Sequence, residues 1–197
     1  MPQTFLFVGL GNPGEKYSGT RHNVGFDVID AMAAGYADGD SFVQKWDALA
    51  MKVSLWGATI HLVKPQTYMN LSGRAVARYL DFYKVPLDSM VVIHDDLDMR
   101  TGRLKLVSGG GTGGHHGIRS IVESIGDNKF YRLKIGIGRP GSGSGLVQIP
   151  VEKYVLTSFC PEEATLITER MTDILTGLRK FVEDTPLQSM NYLNSFK

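Results

Sequence analysis

The sequence predicts an α/β fold: a single domain, residues 1–197, built on a mixed, twisted β-sheet covered by helices on both faces. Two observations carry this. Apolar runs of strand length alternate along the chain with longer stretches of helical periodicity. The polar, glycine-rich stretches begin where apolar runs stop, as expected for loops leaving the ends of buried strands. A length of 197 residues, 43% hydrophobic and 21% charged, is ordinary for one globular domain.

Phe5-Leu6-Phe7-Val8 is too short for a helix and is cut off by Gly9, so it reads as a buried strand. A helix follows over Val24 to Ala34. Leu49 to Trp56 and Thr59 to Val63 form two strands, joined at Gly57-Ala58 and antiparallel. The next helix is capped near Ser72 and shows Val76, Tyr79, Leu80 and Tyr83 on one face. Met90 to Ile93 and Arg103 to Val107 are strands, and Ile118, Ile121, Val122 and Ile125 make the stripe of a third helix. Arg132 to Ile137 is a strand alternating basic and apolar residues. A last helix opens near Pro161, with Glu162 and Glu163 in its first turn and Ile167, Met171, Ile174, Leu175, Leu178 and Val182 turned inward.

Composition narrows the function classes. One cysteine, Cys160, excludes an internal disulfide, and no apolar run has membrane length. The start Met1-Pro2-Gln3-Thr4 shows no export segment, so the expected location is cytoplasmic. A net charge of +1 and a pI near 7.8 do not advertise a nucleic-acid binder, so any RNA contact must come from a local patch. Most of the 23 glycines fall in three loops, 9–25, 109–117 and 136–145.

Gly9-x-Gly11-x-x-Gly14 matches the dinucleotide-binding spacing, but Pro13 and Gly19 forbid the helix that must open at Gly14. What remains is a loop bearing Asn12, Tyr17, Arg21, His22 and Asn23. Its plain reading is a set of caps with a solvated Arg21; its functional reading is a site. Lys64 to Gly73 places Tyr68 and Asn70 between a strand and a helix. His94-Asp95-Asp96-Leu97-Asp98 ends another strand and admits two readings: a Mg²⁺ or Mn²⁺ site, or a carboxylate that accepts the imidazole N–H of a catalytic histidine. Ser108 to Gly117 combines a glycine run with a helix start, either a flexible turn or a phosphate cradle. Arg103, Lys105, Arg119, Arg132 and Lys134 lie close to it in sequence, with Arg132 and Lys134 on one side of a strand and Arg103 and Lys105 on one side of another.

The stretch GLGNPGEKYSGTRHNVG resembles the signature G-L-G-N-P-G-x-x-Y-x-x-T-R-H-N-x-G of bacterial-type peptidyl-tRNA hydrolases and meets every fixed position. KPQTYMNLSG, HDDLD, RLKIGIGRP and the segment 151–159 are similar to further motifs of that family. The resemblance implies a fold related to purine nucleoside phosphorylase, a monomer, and hydrolysis of the ester between peptide and tRNA, which recycles the tRNA. It implies His22 as the base that activates water and Asp95 as the acid that orients it. Asn12 would distinguish N-blocked from free aminoacyl groups, and Tyr17, Tyr68 and Asn70 would line the site for the peptide and the tRNA 3′ end. The Asn70 amide suits a developing oxyanion, and Lys105 and Lys134 suit phosphates. No metal or organic cofactor is required. The chain departs from the family at His116, where G-H-N-G is expected: imidazole cannot donate and accept as one fixed amide does. No G-x-S-x-G elbow is present and Cys160 lies far from any histidine motif, which points to water as the nucleophile.

Overall fold

Seven strands form one sheet: β1 (Thr4–Gly9), β2 (Val43–Lys45), β3 (Ala48–Leu55), β4 (Ala58–Pro65), β5 (Met90–Asp96), β6 (Leu104–Ser108) and β7 (Tyr131–Gly136). The structure is a computed structural model describing residues 2–36, 39–141 and 149–196; most of the Gly-Ser run expected at 141–145 lies outside them. The spatial order is β2-β3-β4-β1-β5-β7-β6. β4, β1, β5 and β7 run parallel, and antiparallel pairings close both sides: β3 on β4 and β2 on β3 at one edge, and β6 on β7 at the other. The sheet is therefore mixed, as predicted.

Alternation along β1 supplies both cores. Phe5 and Phe7 join Val28, Ile29, Ile174, Leu178 and Phe181, which come from α1 (Val24–Tyr36) and α5 (Pro161–Glu183). Leu6 and Val8 face the other way, against Val76, Tyr79, Ile118 and Ile121 from α2 (Ser72–Tyr83) and α3 (His116–Ile125). A central strand covered on both faces must be apolar at every position, which is why it reads as an unbroken run. Short α4 (Val151–Tyr154) precedes α5, and α6 (Pro186–Leu193) packs behind it. Among the described residues no helix is long and apolar enough to cross a membrane.

The structure adds elements to those predicted. The β3–β4 turn is Trp56-Gly57, with φ of 53° and 73°, so β4 begins at Ala58. A two-residue hairpin turn whose twist suits the strands needs positive φ at both positions, and here the tryptophan accepts it. β2 has three residues and an exposed Val43, leaving no alternation to detect. The helix α6 was legible in principle: Thr185 caps it by accepting from the Gln188 N–H, and Pro186 opens it.

All the polar motifs that follow parallel strands gather at the sheet's C-terminal edge, the usual position for sites in parallel α/β sheets. One close approach sets their spacing. A Cβ on Gly25 would lie 2.4 Å from the Ile93 carbonyl oxygen and 2.5 Å from the Leu10 nitrogen, and one on Gly9 would lie 2.1 Å from the Gly25 carbonyl oxygen. The first turn of α1 thus rests directly on the ends of β1 and β5. Gly25→Ala forces these backbones apart and is expected to cost about 1–3 kcal/mol, the range for overpacking. Thermal melting checks it; an unchanged Tm would contradict the contact.

Candidate active site

His22 is placed by its neighbours on both sides. The turn Arg21–Asn23 leads directly into α1. The Arg21 N–H donates to the Thr157 carbonyl at 2.9 Å and the His22 N–H to the Val155 carbonyl at 2.8 Å. Arg21 is not solvated, as the plain reading had it, but fully buried. It bonds Glu163 at 2.6 Å and the Ile137 carbonyl at 3.3 Å, with the rings of Tyr154 and Phe159 at 4.4 and 4.9 Å from its guanidinium. A buried guanidinium must be paired, and this pairing ties the His22 turn to the segment 154–163. Asn23 likewise caps nothing. Its amide donates to the Asn12 carbonyl at 3.0 Å and accepts the Asn12 N–H at 2.9 Å. The Asn12 side-chain oxygen then accepts the Met69 N–H at 2.9 Å, which fixes how that amide points.

Asp95, buried at the end of β5, collects two imidazoles on one oxygen. His22 Nδ1 lies 2.8 Å and His115 Nε2 3.0 Å from Asp95 Oδ1. His115 Nδ1 accepts from the Gly117 and Ile118 N–H groups, capping α3, so its Nε2 carries the proton donated to Asp95. Burial pushes the Asp95 carboxyl up, but the charges and hydrogen bonds of His22 and His115 outweigh it and hold the group well below the usual carboxylate range. An ionised Asp95 fixes Nδ1–H on His22 and leaves Nε2 as its basic nitrogen. Beneath, His94 donates from Nδ1 to the Asp95 carbonyl at 2.7 Å. Burial, followed by the nearby His115, pushes its imidazole well below the ordinary histidine range, so it stays neutral. Sequence reasoning missed His115; its position just before the helical stripe Ile118-Ile121 is the cap position that could have identified it.

Asp95 takes the role of histidine partner. The other HDDLD carboxylates, which line the same cavity, are paired with cations: Asp96 with Lys134 at 2.6 Å, and Asp98 with Arg139. Among the described residues, His22, Asp95 and His115 form the one cluster with ligand atoms close enough for a metal ion. The facing His115 nitrogen bears a proton, so an ion there must displace the hydrogen bonds just described. At the start of α3 the Gly117 and Ile118 N–H groups are taken by His115. Arg132 is spent too, donating to the Gly109 and Gly111 carbonyls from a buried position.

A cavity of about 520 Å³ opens beside His22 and Asp95. Lys105, Lys134 and His116 line it, with Arg103 and Arg139 and the apolar Leu97, Met99, Val151 and Val155. His116, the first residue of α3, is exposed. Asn12 lines a second cavity of about 250 Å³ with Asn23, Asp27, Asp30 and Lys64. Tyr17, Tyr68 and Asn70 line neither; Tyr68 and Asn70 stand exposed on either side of the buried Met69.

Burial and the nearby Asp30 push the Asp27 carboxyl up to about 6, against an opposing pull from Lys64. A raised carboxyl destabilises the fold once it must ionise, so its cost grows as pH rises from 3.8 to about 6. Asp27→Asn is therefore expected to stabilise the protein at pH 7 by about 1–3 kcal/mol, with the gain gone below about pH 4. Denaturant unfolding at both pH values checks this; equal effects would refute it.

Fold and site together define an α/β protein with an acid–base histidine held by a buried carboxylate; among the described residues no hydroxyl or thiol hydrogen-bonds that histidine. A family model described as peptidyl-tRNA hydrolase matches residues 6–197. A peptidyl-tRNA hydrolase of Geobacter sulfurreducens is 50% identical over 193 residues, covering 98% of this chain and 96% of its own. Another, of Desulfotalea psychrophila, is 45% identical over 193 residues, covering 98% of each. A crystal structure of peptidyl-tRNA hydrolase from Acinetobacter baumannii matches with a TM-score of 0.88 at 35% identity, covering 100% of this chain and 97% of that one. The chain belongs to the peptidyl-tRNA hydrolase family.

Proposed function

We propose that this protein hydrolyses the ester joining a peptide, or an N-blocked aminoacyl group, to the ribose of tRNA, with His22 as base and Asp95 as its orienting partner. The observation carrying this is the 2.8 Å contact from His22 Nδ1 to the buried, ionised Asp95, which leaves Nε2 as the base on a residue lining the cavity. Water attacks the ester carbonyl while His22 Nε2 removes its proton, and the resulting imidazolium is stabilised by Asp95. Collapse of the tetrahedral intermediate expels the ribose oxygen, which takes that proton back. The products are a free peptide carboxyl and a deacylated tRNA. No step uses a metal or organic cofactor.

Asn12 is assigned the choice between blocked and free amines. Its side-chain oxygen is occupied by the Met69 N–H, so its amide nitrogen is the group presented to substrate, a donor that suits a peptide carbonyl better than an ammonium. Asn70 and Tyr68, exposed beside that contact, and Tyr17, partly exposed in the first loop, are assigned to the peptide and the tRNA 3′ end. Lys105 and Lys134 lie directly opposite each other on β6 and β7 and are assigned to phosphates. His116 stands at the cavity rim, where its ring can replace only part of an amide's bonding. We take the chain as one domain, acting as a cytoplasmic monomer.

Incubation with N-acetyl-aminoacyl-tRNA and with its unacetylated counterpart tests the reading. Release from the acetylated substrate alone is expected, and it should persist in excess EDTA. His22→Ala should lower kcat by about 10²–10⁴-fold while tRNA binding survives, and Asp95→Asn should lower kcat more than it changes KM. Near-wild-type turnover in His22→Ala would remove it from the mechanism. His115→Ala should also lower kcat more than KM, since it removes one of the two donors that hold Asp95 in place; an effect confined to Tm would make it only a helix cap.

A further inference from the structure

The cavity beside His22 neutralises itself. Four cations, Arg103, Lys105, Lys134 and Arg139, face four carboxylates, Asp95, Asp96, Asp98 and Glu152. The cations are not equivalent. Lys134 is already held by Asp96 at 2.6 Å, with side chains only 23% and 12% exposed, and Arg139 is held by Asp98. Asp96 is itself fixed: its other oxygen accepts the Asp98 N–H at 2.8 Å, and its backbone carbonyl accepts the Ile137 N–H at 3.1 Å. Arg103 and Lys105 form no ion pair among the described residues.

A phosphate reaching Lys134 must therefore share its charge with, or displace, a carboxylate that is preorganised to stay. Substrate and product of the proposed reaction carry the same phosphates, so contacts to them bind both equally. Such uniform binding does nothing for the chemical step and retards release of deacylated tRNA. We propose that Asp96 is an internal counter-ion that competes with tRNA phosphate for Lys134, weakening the hold on deacylated tRNA so that the product leaves. Its seat on the residue after Asp95 couples the competing carboxylate rigidly to the catalytic strand end. The proposal rests on the tRNA reading above and adds a role in product release for a residue to which that reading gives none.

The test measures binding of deacylated tRNA to the full chain, both directly and as a competitive inhibitor of N-acetyl-aminoacyl-tRNA hydrolysis, in wild type, Asp96→Asn, Lys134→Ala and the double variant. Asp96→Asn is expected to tighten tRNA binding by roughly two- to fivefold, the scale of a part-exposed ion pair. It should also steepen the dependence of log Kd on log salt by about 0.7–0.9, because one more cation is free to replace RNA counter-ions. In the Lys134→Ala background both changes should vanish. Unchanged or weaker binding by a folded Asp96→Asn, checked by its melting transition, would overturn the proposal, as would a gain that persists without Lys134. If Asp96→Asn does not fold, Asp96→Ser provides the same comparison. Wild-type hydrolysis with no change in Asp96→Asn refutes this inference alone, whereas a wild type that neither binds tRNA nor hydrolyses the substrate refutes the function as well.

Discussion

Two imidazole N–H groups meet on a single buried oxygen, Asp95 Oδ1, and much of the site follows from keeping that carboxylate charged inside the protein. Burial alone would neutralise it, and only paired or hydrogen-bonded charges persist there. His22 and His115 supply the compensation, and in doing so each is oriented. His115 can donate only because the first N–H groups of α3 occupy its other nitrogen, so the start of a helix sets the tautomer of a ring that in turn holds Asp95. His94 stays neutral below them and adds no competing charge.

Holding His22 against Asp95 requires three loops to be rigid relative to the sheet. The buried Arg21 does this on one side, joining the His22 turn to Glu163 and to the carbonyl after β7. The reciprocal amide bonds of Asn12 and Asn23, continued to the Met69 N–H, do it on the other. Gly25 allows the first turn of α1 to press against the ends of β1 and β5. Several polar residues of the first motif are thus scaffolding, and the chemistry is concentrated in the few that face a cavity.

Electrostatics explain how a chain with a net charge of +1 can address RNA. Four of its 21 Lys and Arg residues line the cavity beside His22, and two of these are paired with carboxylates of the same cavity. Lys134 and Lys105 stand directly opposite on paired strands, an arrangement that repels unless an anion lies nearby. Asp96 supplies one in the free protein. On the proposed reading, a tRNA phosphate competes with that carboxylate for Lys134.

The unbroken apolar runs at Phe5–Val8 and Met90–Ile93, the helical stripes and the polar stretches at strand ends are local signals, and they were enough for the fold class and for the loops that form the site. His22 and Asp95 were singled out only by resemblance to the motifs of the peptidyl-tRNA hydrolase family. The sequence could not show that Arg21 is buried, because its partner Glu163 lies 142 residues further on, nor that His115 shares the oxygen of Asp95. Residue chemistry without that resemblance could not separate Asp95 from Asp96 and Asp98 by role, since three carboxylates in five residues look alike until each has a partner. Those assignments depend on which side chains the packed sheet brings within hydrogen-bonding distance. Burial then enforces them, because a charge removed from water must find an opposite charge or a donor, and only the tertiary structure determines which one is in reach.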